Sequence, residues 1–141
     1  MGSIVDDRDV GYKASETIQI TDKMVRQFAD MSGDNNPIHL DDAYAAKTRF
    51  KGRIAHGMIL GALVSRLLNE KIGSGGIYLA QTLKFSNPVY IDDFITFELE
   101  ITKLHKTRGF GIIETIAKKA TGEIVMKGEA TIMMEWGVKD T

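Results

Sequence analysis

The stretch Met58-Ile59-Leu60-Gly61-Ala62-Leu63-Val64 constrains the fold of this chain more than any other. It ends at Ser65 and Arg66, well short of the ~20 apolar residues needed to cross a bilayer. It therefore reads as the start of a soluble helix running from about Gly57 to Glu70. A helix that is apolar all round must be surrounded rather than laid on a surface. The material to surround it follows the densest turn signal, Gly73-Ser74-Gly75-Gly76. Beyond that turn lie four segments rich in β-branched and aromatic residues with partial alternation: Ile77 to Phe85, Phe94 to Lys103, Phe110 to Lys118 and Glu123 to Glu135. Thr121-Gly122 supplies a hairpin turn between the last two. A curved antiparallel sheet wrapped around one helix satisfies both halves, an α+β arrangement. Such a sheet leaves an edge that needs cover, which a dimer with a continuous sheet would provide.

The N-terminal half is expected to be mostly helical. After a short strand-like piece at Thr17 to Ile20, Thr21 is a candidate N-cap for a helix carrying Met24, Val25, Phe28 and Met31 at helical spacing and ending near Gly33. Asp41 or Asp42 caps a second, short segment through Ala46. With 141 residues and no linker, repeat or low-complexity tract, residues 1–141 read as one domain. The formal net charge of -1 gives no general reason to expect a nucleic acid partner. No cysteine is present, which excludes disulfides, thiolate metal sites and a cysteine nucleophile. The N-terminus has an acidic cluster where a secretory signal needs a basic start and an apolar run, so the expected location is the cytoplasm, with no membrane partner.

Candidate chemistry sits in Ser32-Gly33-Asp34-Asn35-Asn36-Pro37-Ile38-His39. Gly33 and Pro37 break regular structure there, so these polar residues are not one face of a helix. Asp34 can accept a proton and His39 can give or take one near neutral pH, the two abilities general acid/base catalysis combines. Asp and Asn are equally common as helix caps and turn residues, and spacing does not separate the two readings. A metal site from Asp34, His39 and Asp41 ranks lower, because that set matches no recognised zinc spacing.

A second segment, Arg53-Ile54-Ala55-His56-Gly57-Met58, lies at the entrance to the apolar helix. A first-turn backbone N–H has no partner within its helix and sits at the positive end of the dipole, so it can stabilise an oxyanion. Gly57 would let a substrate approach that amide. Gly57, Gly61 and Ser65 then form a small-residue stripe, which either admits something narrow or allows close helix–sheet contact. A buried Ser65 would need a partner such as the Gly61 carbonyl.

Phe28-Ala29-Asp30-Met31-Ser32-Gly33-Asp34-Asn35-Asn36-Pro37-Ile38-His39, then Asp41 and the alanines to Ala46, resembles the hydratase signature of the MaoC-like (R)-specific enoyl-CoA hydratases. Phe50 to Met58 resembles that family's second landmark, and the similarity continues through Tyr78 to Phe85 into the strands, covering nearly the whole chain. The resemblance implies a hot-dog fold, a sheet around a long central helix, assembled as a homodimer with an acyl tunnel near the subunit interface. It implies that Asp34 and His39 are the catalytic pair, that the Gly57 amide polarises the thioester carbonyl, that Ser65 helps line or order the site and that Asn36 holds the loop. The implied partner is an acyl-CoA or acyl carrier protein thioester. The implied reaction adds water reversibly across an enoyl thioester, giving the (R)-3-hydroxyacyl product, and requires neither a metal nor another cofactor.

Three alternatives stand beside it. The same site run in reverse is a 3-hydroxyacyl-thioester dehydratase acting on CoA or acyl carrier protein. A hot-dog thioesterase fits less well, because the central helix carries no acid before Glu70. A non-catalytic acyl-CoA-binding module would need neither Asp34 nor His39. Leu63, Leu67, Leu68 and Met133 are candidates for the tunnel lining, and Lys84, Arg108 and Lys127 for the CoA phosphates.

Overall fold

The computed structural model describes residues 9–73 and 75–134. The elements run in the order β1 (Lys13–Gln19), α1 (Asp22–Ser32), α2 (Pro37–Leu40), α3 (Asp42–Ala46), α4 (Gly57–Leu67), a π-helical turn (Leu68–Ile72), β2 (Ile77–Phe85), β3 (Phe94–His105), β4 (Phe110–Lys119) and β5 (Ile124–Met133). The expected helix starts hold: Thr21 caps α1 through the Met24 amide and Asp41 caps α3 through the Tyr44 amide. The expected α4 begins at Gly57, but its regular part stops at Leu67 and the π-helical turn carries the chain to Ile72. The expected end of the last strand at Glu135 lies outside the described residues.

The strands form one antiparallel sheet in the order β1-β3-β4-β5-β2, so β1 and β2 are its edges. Alternation along β3 is clean: Ile95, Phe97, Leu99 and Ile101 are buried, while the residues between them are partly exposed. Ile113 and Ala117 of β4 and Val125, Ala130 and Ile132 of β5 continue the same face. Against it lie Ile59, Leu60, Val64 and Leu67 of α4. One apolar and one solvated face is the signature of an antiparallel sheet with helices on one side only. The burial explains why α4 holds its place. Leu60 is 2% exposed, and truncation to Ala would cost about 2–5 kcal/mol through lost transfer energy and the cavity left behind.

Complete enclosure of α4 does not occur within one chain. Met58 is 55% exposed and Ala62 is also exposed, because the sheet covers only one side of the helix. The exposed residues of α4 continue onto β2, where Ile77, Leu79 and Phe85 are 60%, 50% and 44% exposed. Among the described residues, no helix is long and apolar enough to cross a membrane.

Candidate active site

The segment bearing Asp34 is shaped by local capping. Gly33 adopts a left-handed conformation (φ 78°) that ends α1 and donates its N–H to the Ala29 carbonyl at 2.8 Å, a geometry that favours glycine. The Asp34 N–H then donates to Ser32 Oγ at 3.1 Å, and the Asn36 N–H donates to Asp34 Oδ1 at 3.4 Å. Asn36 caps α2 by accepting the Ile38 N–H at 3.1 Å, and Pro37 fills the first helical position, where its missing N–H costs nothing. His39 therefore stands on a short helix, whereas the sequence pointed to an irregular loop. Pro37 starts that helix rather than breaking one.

His39 is oriented through its ring. Nδ1 lies 2.7 Å from the Ile54 carbonyl, which can only accept, so Nδ1 carries the proton and Nε2 is left as the basic nitrogen. Burial holds the His39 pKa below its ordinary value of 6.5 and the His56 ring adds to the effect, outweighing the Ile54 bond and the Asp34 charge. The backbone is held as well: Ile54 N–H donates to the Ile38 carbonyl at 3.2 Å, and Arg53 Nε donates to the His39 carbonyl at 2.7 Å. Arg53 also pairs with Asp22 and lies 3.8 Å from Asp42.

Asp34 and His39 come together with a third group, His56. One ligand-type atom from each of the three lies within 4.8 Å of the other two. No ion pair or hydrogen bond joins the Asp34 carboxylate directly to His39, although a ligand-type atom of each lies within 4.8 Å of the other. His56 is 2% exposed and stacks on His39 with ring centroids 3.8 Å apart and planes inclined by 29°. Within the cluster His39 Nδ1 and His56 Nε2 are engaged by backbone carbonyls, which leaves His39 Nε2 and His56 Nδ1 as the open nitrogens of two stacked rings.

His56 is also the N-cap residue of α4, yet it makes no side-chain cap; its carbonyl accepts the Ile59 N–H at 3.1 Å, and the Gly57 amide at the helix start is capped by no side chain. His39, His56 and Gly57 line one groove of about 320 Å³ together with Arg49, Leu60 and Phe85. Arg49, not Lys84, Arg108 or Lys127, is the cation on that groove, its guanidinium 4.9 Å from the centre of the Phe50 ring. Further recesses follow along the seam between α4 and β2. One is bordered by Met58, Gly61, Leu79 and Leu83, and another by Ser65, Leu68, Tyr78 and Ile132. The glycines on this seam are in close contact with β2: a Cβ at Gly57 would lie 3.0 Å from the Phe85 ring, and one at Gly61 would lie 3.1 Å from Leu83.

Asp34, Asn36, His39 and Gly57 thus gather at one place, and Ser65 does not. Eight residues along the helix, it lies about 12 Å from Gly57 at the far recess. Ser65 is exposed rather than buried, and among the described residues its hydroxyl makes no hydrogen bond, so the back-bond to Gly61 is absent. Ile132 rather than Met133 faces that recess, since alternation on β5 turns Met133 outward. His56, Arg49 and Phe85 are the residues that sequence reasoning passed over. A signal existed for His56: an imidazole directly before the glycine of an apolar helix, in the position where Ser, Thr, Asp or Asn is the common choice.

A profile of the MaoC like domain matches residues 6–124, and the chain belongs to that family. It is 39% identical over 127 residues to the (R)-specific enoyl-CoA hydratase of Aeromonas caviae, covering 89% of this chain and 95% of that protein. It is 32% identical over 128 residues to the mitochondrial 3-hydroxyacyl-[acyl-carrier-protein] dehydratase of Arabidopsis thaliana, covering 89% and 76%. The unliganded R-hydratase PhaJ1 of Pseudomonas aeruginosa superposes with a TM-score of 0.87 at 43% identity, covering 92% of this chain and 83% of that one. The sheet packed around α4 is accordingly a hot-dog fold.

Proposed function

We propose that this chain is an (R)-specific enoyl-CoA hydratase, a hydro-lyase that reversibly adds water to trans-2-enoyl-CoA to give (R)-3-hydroxyacyl-CoA. The observation that carries this reading is the set of groups gathered around His56: the Asp34 carboxylate, His39 with Nε2 left basic, and the start of α4 at Gly57, which no side chain caps. Hydration needs these three groups. A water held between Asp34 and His39 Nε2 loses a proton to the pair as its oxygen attacks C3. C2 receives a proton from the same pair. Between those events negative charge collects on the thioester oxygen, and the Gly57 N–H at the positive end of α4 stabilises it. Asn36 keeps Asp34 and α2 in register, while the seam toward Ser65 takes the acyl chain. The stereochemical outcome is carried over from the Aeromonas caviae and Pseudomonas aeruginosa relatives.

The same reading makes the protein a cytoplasmic homodimer. β2 is an unpaired edge, and Ile77, Leu79 and Phe85 on it continue the exposed side of α4 at Met58. A second copy paired through β2 would cover both at once.

The test is hydration of crotonyl-CoA by the purified protein, followed as loss of enoyl-thioester absorbance, with chiral analysis of the product. Wild type is expected to turn over and to give the (R) product. Asp34→Asn and His39→Ala are expected to lose about 10²–10⁴-fold in kcat, the usual reach of a positioned acid or base. Acyl-CoA binding without turnover by wild type would leave a binding module instead. The Arabidopsis thaliana relative supports a second carrier, and a 3-hydroxyacyl-acyl carrier protein substrate run beside the CoA thioester distinguishes the two.

A further inference from the structure

The proposed reaction leaves His56 without a task, although it is one of only two buried polar or charged residues among those described, the other being Thr115 on the sheet. Its Nε2 lies 3.0 Å from the peptide carbonyl of Asp34 and must donate to it. One ring face covers His39 at 3.8 Å between centroids, and the Phe28 ring packs against it at 4.8 Å. Its Nδ1 is buried and has no hydrogen-bond partner among the described residues. A buried unpaired nitrogen is a standing cost, which an apolar residue of similar shape would remove. Packing alone therefore does not account for an imidazole here.

The bond to Asp34 is the part an apolar residue could not supply. The other hydrogen bonds that shape the Asp34 turn are local, to Ser32 and Asn36. The His56 bond spans a separation of 22 residues and ties the turn to the start of α4, directly before Gly57. One rigid ring thus touches the peptide that carries the carboxylate, the imidazole that pairs with it, and the helix start that faces the substrate oxygen. We infer that His56 is a positioning residue for the acid/base pair: its Nε2–H fixes the Asp34 peptide, its ring backs His39, and together they set the spacing between the two. This rests on the hydratase reading above. Because His56 acts through the reacting groups and is itself only 2% exposed at the groove wall, its loss falls mainly on the transition state and leaves ground-state binding in place.

The experiment compares His56→Gln, His56→Met and His56→Phe in crotonyl-CoA hydration. Gln and Met have similar length and shape, but only Gln carries an amide N–H able to reach the Asp34 carbonyl; Phe keeps a ring and has no donor. Met and Phe are expected to lose about 10²-fold in kcat, the scale of an ångström-level misplacement, with KM within about threefold of wild type. Gln is expected to recover to within about tenfold of wild type, the donor being restored and the ring not. Equal kcat for Gln and Met, wild-type kcat for Phe, or a loss confined to KM would each overturn the assignment. Should Phe fail to fold, the Gln and Met pair decides. The backbone ¹³C′ resonance of Asp34 is a readout independent of turnover, expected to stay near its wild-type position in Gln and to move in Met. A wild type that does not hydrate overturns the functional reading, and this resonance still decides the role of His56.

Discussion

Arg53 donates its Nε–H to the peptide oxygen of His39 at 2.7 Å while its guanidinium pairs with Asp22 on α1, so one side chain, 8% exposed, fixes where α2 sits against α1. Arg53→Met should lower unfolding stability by about 1–3 kcal/mol, the worth of hydrogen bonds to a charged group, measurable by urea titration. Arg53→Lys should recover only part of this, because a point charge cannot serve the carbonyl and the carboxylate together. The Arg53 hydrogen bond also holds the Asp22 carboxyl below its ordinary 3.8, with Arg26 adding to it. That stabilisation is present above pH 3.8 and is lost as the pH falls through the lowered value. Arg53→Met should therefore lose less stability on acidification than wild type.

Burial depresses the His39 pKa, and the sign of the effect is set by which state takes up the proton first. As the pH drops below 6.5 the unfolded chain protonates this histidine before the folded one does, so folding stability declines between 6.5 and the lower folded value. The basic Nε2 survives over the same interval. The acid limb of kcat/KM should fall below pH 6.5, with Asp34 and His56 the titratable neighbours facing the ring. A limb centred above 6.5 would contradict a buried, neutral His39.

Gly57→Ala separates access to the site from stability. The new methyl would stand 3.0 Å from the Phe85 ring, but that ring is 44% exposed and can swing aside. Stability should change by less than about 1 kcal/mol, since Ala also restricts the unfolded chain. kcat/KM for crotonyl-CoA should fall by at least about tenfold, because the methyl stands between the thioester oxygen and the amide. Phe85→Ala is the control: if it reproduces the whole loss, the displaced ring rather than the shielded amide is the cause.

Leu79→Lys places a charge on the exposed edge strand. Light scattering should show wild type as a dimer and the variant shifted toward monomer, with the far-ultraviolet dichroism of both alike. A wild type that remains monomeric at micromolar concentration would remove the β2 pairing from the proposal.

What the sequence made legible follows the range of the forces involved. β2 is bounded by a glycine cluster and filled with β-branched and aromatic residues, so Ile77 to Phe85 could be read to the residue. The N-caps at Thr21 and Asp41 were readable because capping is local. α2 was not, since four residues carry no period and Pro37 serves equally as a stop or a start. Met31 has the spacing of the core face of α1, yet it is 76% exposed; burial centres on Val25 and Ala29, a choice made by what lies opposite. The burial expected for Ser65 was not met for a similar reason, because the apolar run does not disclose that the sheet covers one side of α4 alone. The gathering of Asp34, His39 and Gly57 was legible through family likeness. The stack of His56 on His39 depends on a tertiary fold that no spacing encodes.

The grooves along α4 divide the labour of the chain in a way that bears on how such proteins diversify. Every group assigned to the reaction comes from one stretch, Asp34 to Gly57, whereas the facing wall is built by Phe85, Leu83, Leu79 and Tyr78 of β2 and by Ile132 of β5. Substitutions in the strands can therefore accumulate and reshape what fits, while the chemistry is inherited unaltered. Lineages sharing one reaction are free to drift apart in appetite.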